Sequence, residues 1–157
     1  MDIIGRAPIN EIVFITGKSS MYLAWLGAIA QAMGFNVRVA GMPDYLSYSC
    51  LAFAAFGALV SLAGLMHLGA SVSLGLPREN TEFKDRGIYR LSRNPIYLGF
   101  NIMTIAAVAY AMNPAVALLG IYGMLVQHRI ILSEEKFLKK RFGIKYSAYC
   151  KKVRRYF

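Results

Sequence analysis

Two short stretches of this chain carry side chains in which chemistry could reside. The first reads Gly87-Ile88-Tyr89-Arg90-Leu91-Ser92-Arg93-Asn94-Pro95-Ile96-Tyr97-Leu98-Gly99. Its proline falls where a helix tolerates it best, in the first turn. The unbonded amides of that turn and the helix dipole favour an anionic group, and Arg93 adjoins them. The plainer alternative is a juxtamembrane arginine pairing with lipid headgroups. The second stretch, Gln127-His128-Arg129-Ile130-Ile131-Leu132-Ser133-Glu134-Glu135, sets two adjacent carboxylates among many cations. At 100° per residue Gln127 and Glu134 share a helical face, as do His128 and Glu135, so each pair can line one cleft. Such a carboxylate could hold ribose hydroxyls, an ammonium or a sulfonium. It could equally balance neighbouring Lys and Arg on a solvated face. His128 and His67 each lack a second His or Cys at ligand spacing, so no metal site is expected. Cys50 and Cys150 form neither a disulfide framework nor a metal knot.

The elements that must position these residues are membrane helices. Of 157 residues, 57% are apolar and 17% charged, against an ordinary apolar share of about 45–50%. The net charge of +10 is unevenly placed. Residues 1–77 hold three basic and three acidic side chains, whereas residues 78–157 hold fifteen and five. A neutral, oily half joined to a basic half excludes disorder, a disulfide-stapled secreted domain and a simple nucleic-acid binder. The first twenty residues lack the basic start, apolar middle and cleavage site of a signal peptide.

A helix needs about 20 residues to cross a hydrocarbon core of about 30 Å, and the apolar runs here are too unbroken for barrel strands. The first span is expected over 12–35, with Lys18 snorkelling to an interface. The second starts at Tyr45 in a stretch that reaches Pro77 without one charged residue. A third, Pro95–Met112, and a fourth, Ala115–Leu132, follow, divided by the tight reversal that Asn113-Pro114 predicts. Segments 78–93 and 129–157, with five and ten basic residues, then share one side. By the positive-inside rule that side is cytoplasmic, with both termini and any active site. Phe142-Gly143 reads as a helix stop. Beyond it Tyr146, Tyr149, Val153 and Tyr156 form a stripe suited to lying on anionic lipid or to covering the cleft. The expected fold is all-α: one membrane domain over 1–157, with about four transmembrane helices and amphipathic helices at the C-terminal end.

Taken in order, Gly87 to Gly99, the Asn-Pro turn, Glu134-Glu135, Phe142-Gly143 and Tyr146-x-x-Tyr149 resemble the isoprenylcysteine carboxyl methyltransferase family. These are integral membrane S-adenosylmethionine-dependent enzymes, and phospholipid N-methyltransferases are more distant relatives. The likeness covers roughly residues 70–155. It implies S-adenosylmethionine as cofactor, bound in the cytoplasmic half 76–157 by Tyr89, Asn94, Pro95, Ile96 and Tyr97, with Arg93 adjoining and Glu134 as the binding carboxylate. Glu135, its neighbour, and Arg129 would serve the reaction, although the spacing of Arg129 to the Glu pair is one residue off the family's. Asn94 stands where the family usually has histidine, so donor capacity is kept and titration lost.

The resemblance implies methyl transfer to a lipophilic acceptor, most simply the carboxylate of a prenylated cysteine. A carboxylate is already ionised at neutral pH, so no general base is required. An amine acceptor must first lose a proton, and Glu135 or His128 could take it; Arg129 or Arg93 could orient an anionic one. The alternatives are a phospholipid-amine or small-thiol methyltransferase, and a non-catalytic membrane protein of the same fold that binds lipid or a partner. The expected partners are the bilayer and the acceptor, not nucleic acid.

Overall fold

A computed structural model describes residues 9–68, 83 and 85–156. Among these residues every regular element is helical. Helix α1 runs Glu11–Ala32 and starts where the Asn10 side chain accepts from the amides of Ile12 and Val13. Helix α2 is Asp44–Leu68, a short 3-10 helix is Gly87–Arg90, and α3 is Pro95–Ala111. Helix α4 runs Pro114–Lys152. The reversal expected at Asn113-Pro114 is present: Met112 takes a left-handed conformation, and the Asn113 side chain accepts from the amides of Ala115 and Val116.

Helices α1, α2 and α4 are long and apolar enough to cross a membrane by length and composition. Helix α3 is a shorter apolar helix of 17 residues. At 1.5 Å per residue the part of α4 before the break at Gly143, 114–142, rises ~44 Å, more than a hydrocarbon core of about 30 Å. Its apolar part ends at Leu132, so Ser133 onward projects past the spanning portion. Gly143 lies inside α4 at φ 51, ψ −119, and bends it at the expected stop.

Helix α2 packs chiefly on α3, and α1 chiefly on α4. The first contact is made close by small residues. Gly57, Ser61 and Gly64 share one face of α2, and a Cβ at Gly99 would collide with the Gly57 carbonyl and with Ser61. Without a hydrophobic drive between lipid-bathed helices, such backbone approach is a main source of association. Ser61 adds a hydrogen bond from Oγ to the Ile96 carbonyl at 3.0 Å.

At one end of the bundle Arg38 donates to the Tyr110 carbonyl at 2.9 and 3.1 Å, and Asn113 Nδ2 donates to the Val37 carbonyl at 2.7 Å. The 36–44 loop and the α3–α4 turn thus meet there, as expected of one bundle end. At the other end are the start of α3 and the far half of α4. The end of the uncharged stretch, 69–77, and most of the polar segment 78–86 lie outside the described residues.

Candidate active site

The start of α3 is held from three sides. Asn94, its N-cap residue, makes no side-chain capping bond, and Pro95 fills the first position. The Asn94 amide instead donates to Ser92 Oγ at 3.2 Å, and Ser92 Oγ donates to the Arg155 carbonyl at 3.1 Å. Pro95 is fully buried, and Ile96 packs against Gly64 of α2. Tyr89 is also buried; its hydroxyl donates to the Gly64 carbonyl at 3.4 Å, and its own carbonyl accepts from the Tyr149 hydroxyl at 2.6 Å.

From this platform Tyr97 reaches α4, where its hydroxyl donates to Glu134 Oε1 at 2.7 Å. Among the described residues Glu134 forms no salt bridge. Burial raises its carboxyl to about 7, against the opposing effects of the Tyr97 hydrogen bond and the positive charge of Lys18. Glu135 differs in every respect. It accepts from Arg93 at 2.9 Å, from Arg155 at 2.8 Å and from Asn94 Nδ2 at 3.4 Å. Burial alone would push this carboxyl up, but the Arg155 and Arg93 guanidiniums outweigh it and hold the group below the ordinary carboxylate range.

The two carboxylates are neighbours in sequence and sit about 100° apart around α4, which is why one meets α3 and the other meets the C-terminal residues. Arg93, Asn94 and Glu135 are joined directly, as are Tyr97 and Glu134. Tyr89, Pro95 and Ile96 support them through contacts with α2 and the end of α4. Arg129 is exposed and about 140° around the helix from Glu134, apart from both clusters.

The sequence assigns Arg154 and Arg155 no part in the site, whereas Val153 and Tyr156 belong to the stripe expected to lie on lipid or to cover the cleft. Val153–Tyr156 form a strap across the mouth. The Arg93 amide donates to the Arg154 carbonyl at 3.0 Å, the Arg93 guanidinium donates to the Val153 carbonyl at 3.1 Å, and Asn94 Nδ2 donates to the Arg155 carbonyl at 3.3 Å. Tyr156 shares a 2.8 Å hydrogen bond with His128. In a tail with ten basic residues, nothing in the sequence sets Arg155 apart. The stripe of Tyr146, Tyr149 and Val153 is covered by the chain itself. It packs with Phe83, Leu138 and Phe142, and so does not lie open to lipid. Lys18, expected to extend to an interface, lines a small cavity between α1, α3 and α4 and lies near enough to Glu134 to feel its charge.

A family model described as phospholipid methyltransferase matches residues 23–145. The match takes in the second part of α1, all of α2 and α3, most of α4 and both carboxylates, and leaves the strap outside it. No curated protein matches the chain.

Proposed function

The chain belongs to the phospholipid methyltransferase family, which makes it a membrane methyltransferase, and we propose that it moves a methyl group from S-adenosylmethionine to a lipophilic acceptor at the mouth formed by α3 and α4. The observation that carries this reading is the state of Glu134: a largely buried carboxylate, held by one neutral hydroxyl and paired with no arginine among the described residues. A buried anion that the nearby charge of Lys18 only partly offsets, with no salt bridge among the described residues, is costly, and a cationic ligand is the chemistry that relieves it.

S-adenosylmethionine fits that donor set. It supplies, when bound, an electrophilic methyl group on a positively charged sulfur, and its ammonium adds a second cation. Glu134 would hold a cationic part, with Tyr97 fixing the carboxylate's orientation through its hydroxyl. Arg93, Asn94 and Glu135 are already bonded to one another and to the strap. In this reading they keep the start of α3, the far part of α4 and the strap in register around the site. Tyr89, Pro95 and Ile96 shape its floor. Alignment and exclusion of water are what this chain then contributes to an in-line displacement. The mouth would face the cytoplasm, on the side of the basic segments.

Two acceptors are in view. A prenylated cysteine carboxylate needs no base, whereas a phospholipid amine is favoured by the family match. Calorimetry on the full chain in detergent is expected to show S-adenosylmethionine binding at sub-millimolar concentration, and Glu134→Ala is expected to abolish it. Labelled-methyl transfer to an S-farnesylcysteine analogue, set against phosphatidylethanolamine, separates the acceptors. Absence of cofactor binding would leave only a non-catalytic membrane protein of this fold.

A further inference from the structure

The part of α4 beyond Gly143 and the 3-10 helix border a half-open hollow of about 500 Å³, lined by neither Tyr97 nor Glu134. Two aromatic residues line it, Phe83 and the buried Tyr149, together with the charged side chains of Arg90, Lys145, Lys152 and Asp85. Three cations from two elements thus face one space, against a single carboxylate. None of the three forms a salt bridge among the described residues. Lys145 lies instead over the Phe83 ring, 5.1 Å from its centre. The hollow has the size of a small-molecule site, about 300–1,000 Å³.

Like charges around one space repel, and an anion placed among them reverses the sign of that interaction. A phosphate suits this set best: a guanidinium can take two of its oxygens, and ammonium groups hold it as point charges. Asp85 can only accept, so it suits a hydroxyl beside that phosphate. The source of the phosphate is indicated by the chain neighbours of two of these cations. Leu91 follows Arg90 and is 75% exposed, and Ile144 precedes Lys145 and is 89% exposed. Beyond the spans at this end, they are the large apolar side chains left exposed among the described residues. Exposed apolar side chains next to cations belong to a surface that dips into a headgroup layer. A phosphate free in water would have no use for them.

We propose that this hollow holds the headgroup of an anionic phospholipid, with Arg90, Lys145 and Lys152 on the phosphate and with Leu91 and Ile144 set among the acyl chains. Such a lipid carries no amine and is not a methyl acceptor, so the proposal does not rest on methyl transfer. Its effect is mechanical. The Tyr149 hydroxyl already ties α4 to the Tyr89 carbonyl at 2.6 Å. A phosphate bridging Arg90 to Lys145 and Lys152 adds a second tie between the same two elements, behind the mouth that they frame.

The full chain in non-ionic detergent is titrated with phosphatidylglycerol and with phosphatidylcholine of the same acyl chains, and bound lipid is counted by native mass spectrometry. Wild type is expected to bind phosphatidylglycerol at least tenfold more tightly. The triple variant Arg90→Gln, Lys145→Gln, Lys152→Gln changes exposed side chains only and should lose at least tenfold of that affinity. A second triple variant, Lys136→Gln, Lys139→Gln, Lys140→Gln, removes the same charge around a different hollow of α4 and should change it less than about twofold. Equal losses in the two triple variants overturn the proposal, since the basic tail would then attract anions without a site. So does equal binding of the two lipids by wild type. Leu91→Ser with Ile144→Ser should weaken phosphatidylglycerol while all three cations remain. Displacement of the lipid by an equal concentration of glycerol 3-phosphate would make the ligand a soluble phosphate and overturn the lipid assignment. Failure of S-adenosylmethionine to bind would remove the proposed reaction and leave this titration unaffected.

Discussion

Lowering the pH from 8 to 6 should weaken S-adenosylmethionine binding about tenfold through Glu134 alone. Before ligand binds, burial holds this carboxyl at about 7, so the group is mostly ionised at pH 8 and mostly protonated at pH 6. Only the ionised form attracts a cation. The proton therefore competes with the ligand, and the apparent Kd scales as one plus the ratio of proton concentration to the dissociation constant of the acid. For a pKa near 7 that factor is roughly 11 at pH 6 and roughly 1.1 at pH 8. The sign is specific: affinity is present above about pH 7 and is lost as the pH falls through it. A carboxyl at its ordinary value near 4.5 would change binding almost not at all over this window. Isothermal titration at half-unit intervals gives the curve, and Glu134→Gln should bind weakly with a flat profile over the same range, which removes any contribution from titration of the ligand itself. Lys18→Met takes away a positive charge that favours the ionised carboxylate, so the midpoint should move upward. A wild-type profile as flat as that of Glu134→Gln, or one with its midpoint below pH 5.5, would show that Glu134 is not the group that receives the cation.

Glu135→Gln should lower stability in detergent by about 2–3 kcal/mol, because it strands Arg93 and Arg155 at a largely buried carboxylate; the exposure of Arg155 keeps the cost below that of a fully buried pair. Thermal unfolding would read it, and a loss no larger than that of exposed Lys139→Ala would contradict it. Since Glu135 is held below the ordinary range, its contribution is present above about pH 4.5 and disappears as the pH falls further. Arg155→Ala removes the strap's bidentate grip on Glu135, so the Arg93 amide that donates to Arg154 should exchange with deuterium at least tenfold faster, while the Tyr110 and Val37 end keeps its protection. Gly99→Val forces side-chain atoms into the Gly57 carbonyl and should cost about 3 kcal/mol, whereas Gly41→Ala, with open space around it, should cost little.

The helices were legible because their signals are local. Charge-free stretches of the right length, an Asn-Pro reversal and a Phe-Gly break each report on a few consecutive residues, and the helix limits follow them closely. The juxtaposition of the Arg93–Tyr97 stretch with the Glu134-Glu135 pair was legible for a related reason: both fall at the ends of helices joined by one tight turn, so they must return to the same side. Partner choice was not legible. Whether Arg93 meets lipid, ligand or Glu135 depends on where the C-terminal residues fold back, and no periodicity encodes that return. Arg155 is one cation among many until the chain brings it 2.8 Å from Glu135. The stripe of Tyr146, Tyr149 and Val153 has the same spacing whether it faces lipid or protein; Phe83, far upstream, decides the matter. Gln127 shares the Glu134 face by helical arithmetic, but its bonds to Asn101 and the Tyr97 carbonyl are set by packing alone.

One turn of α4 thus assigns opposite tasks to two identical side chains. Glu135 leaves the helix toward three hydrogen-bond donors and is held ionised by them, so it can neither accept a proton near neutral pH nor offer its charge to a ligand without releasing Arg93 and the strap. Glu134 leaves about 100° away, toward a tyrosine hydroxyl, and there burial outweighs that hydrogen bond and the charge of Lys18. Exchanging their roles would require rotating α4 past α3, against the Gln127 bonds to Tyr97 and Asn101 that lock that rotation at 2.9 and 2.8 Å.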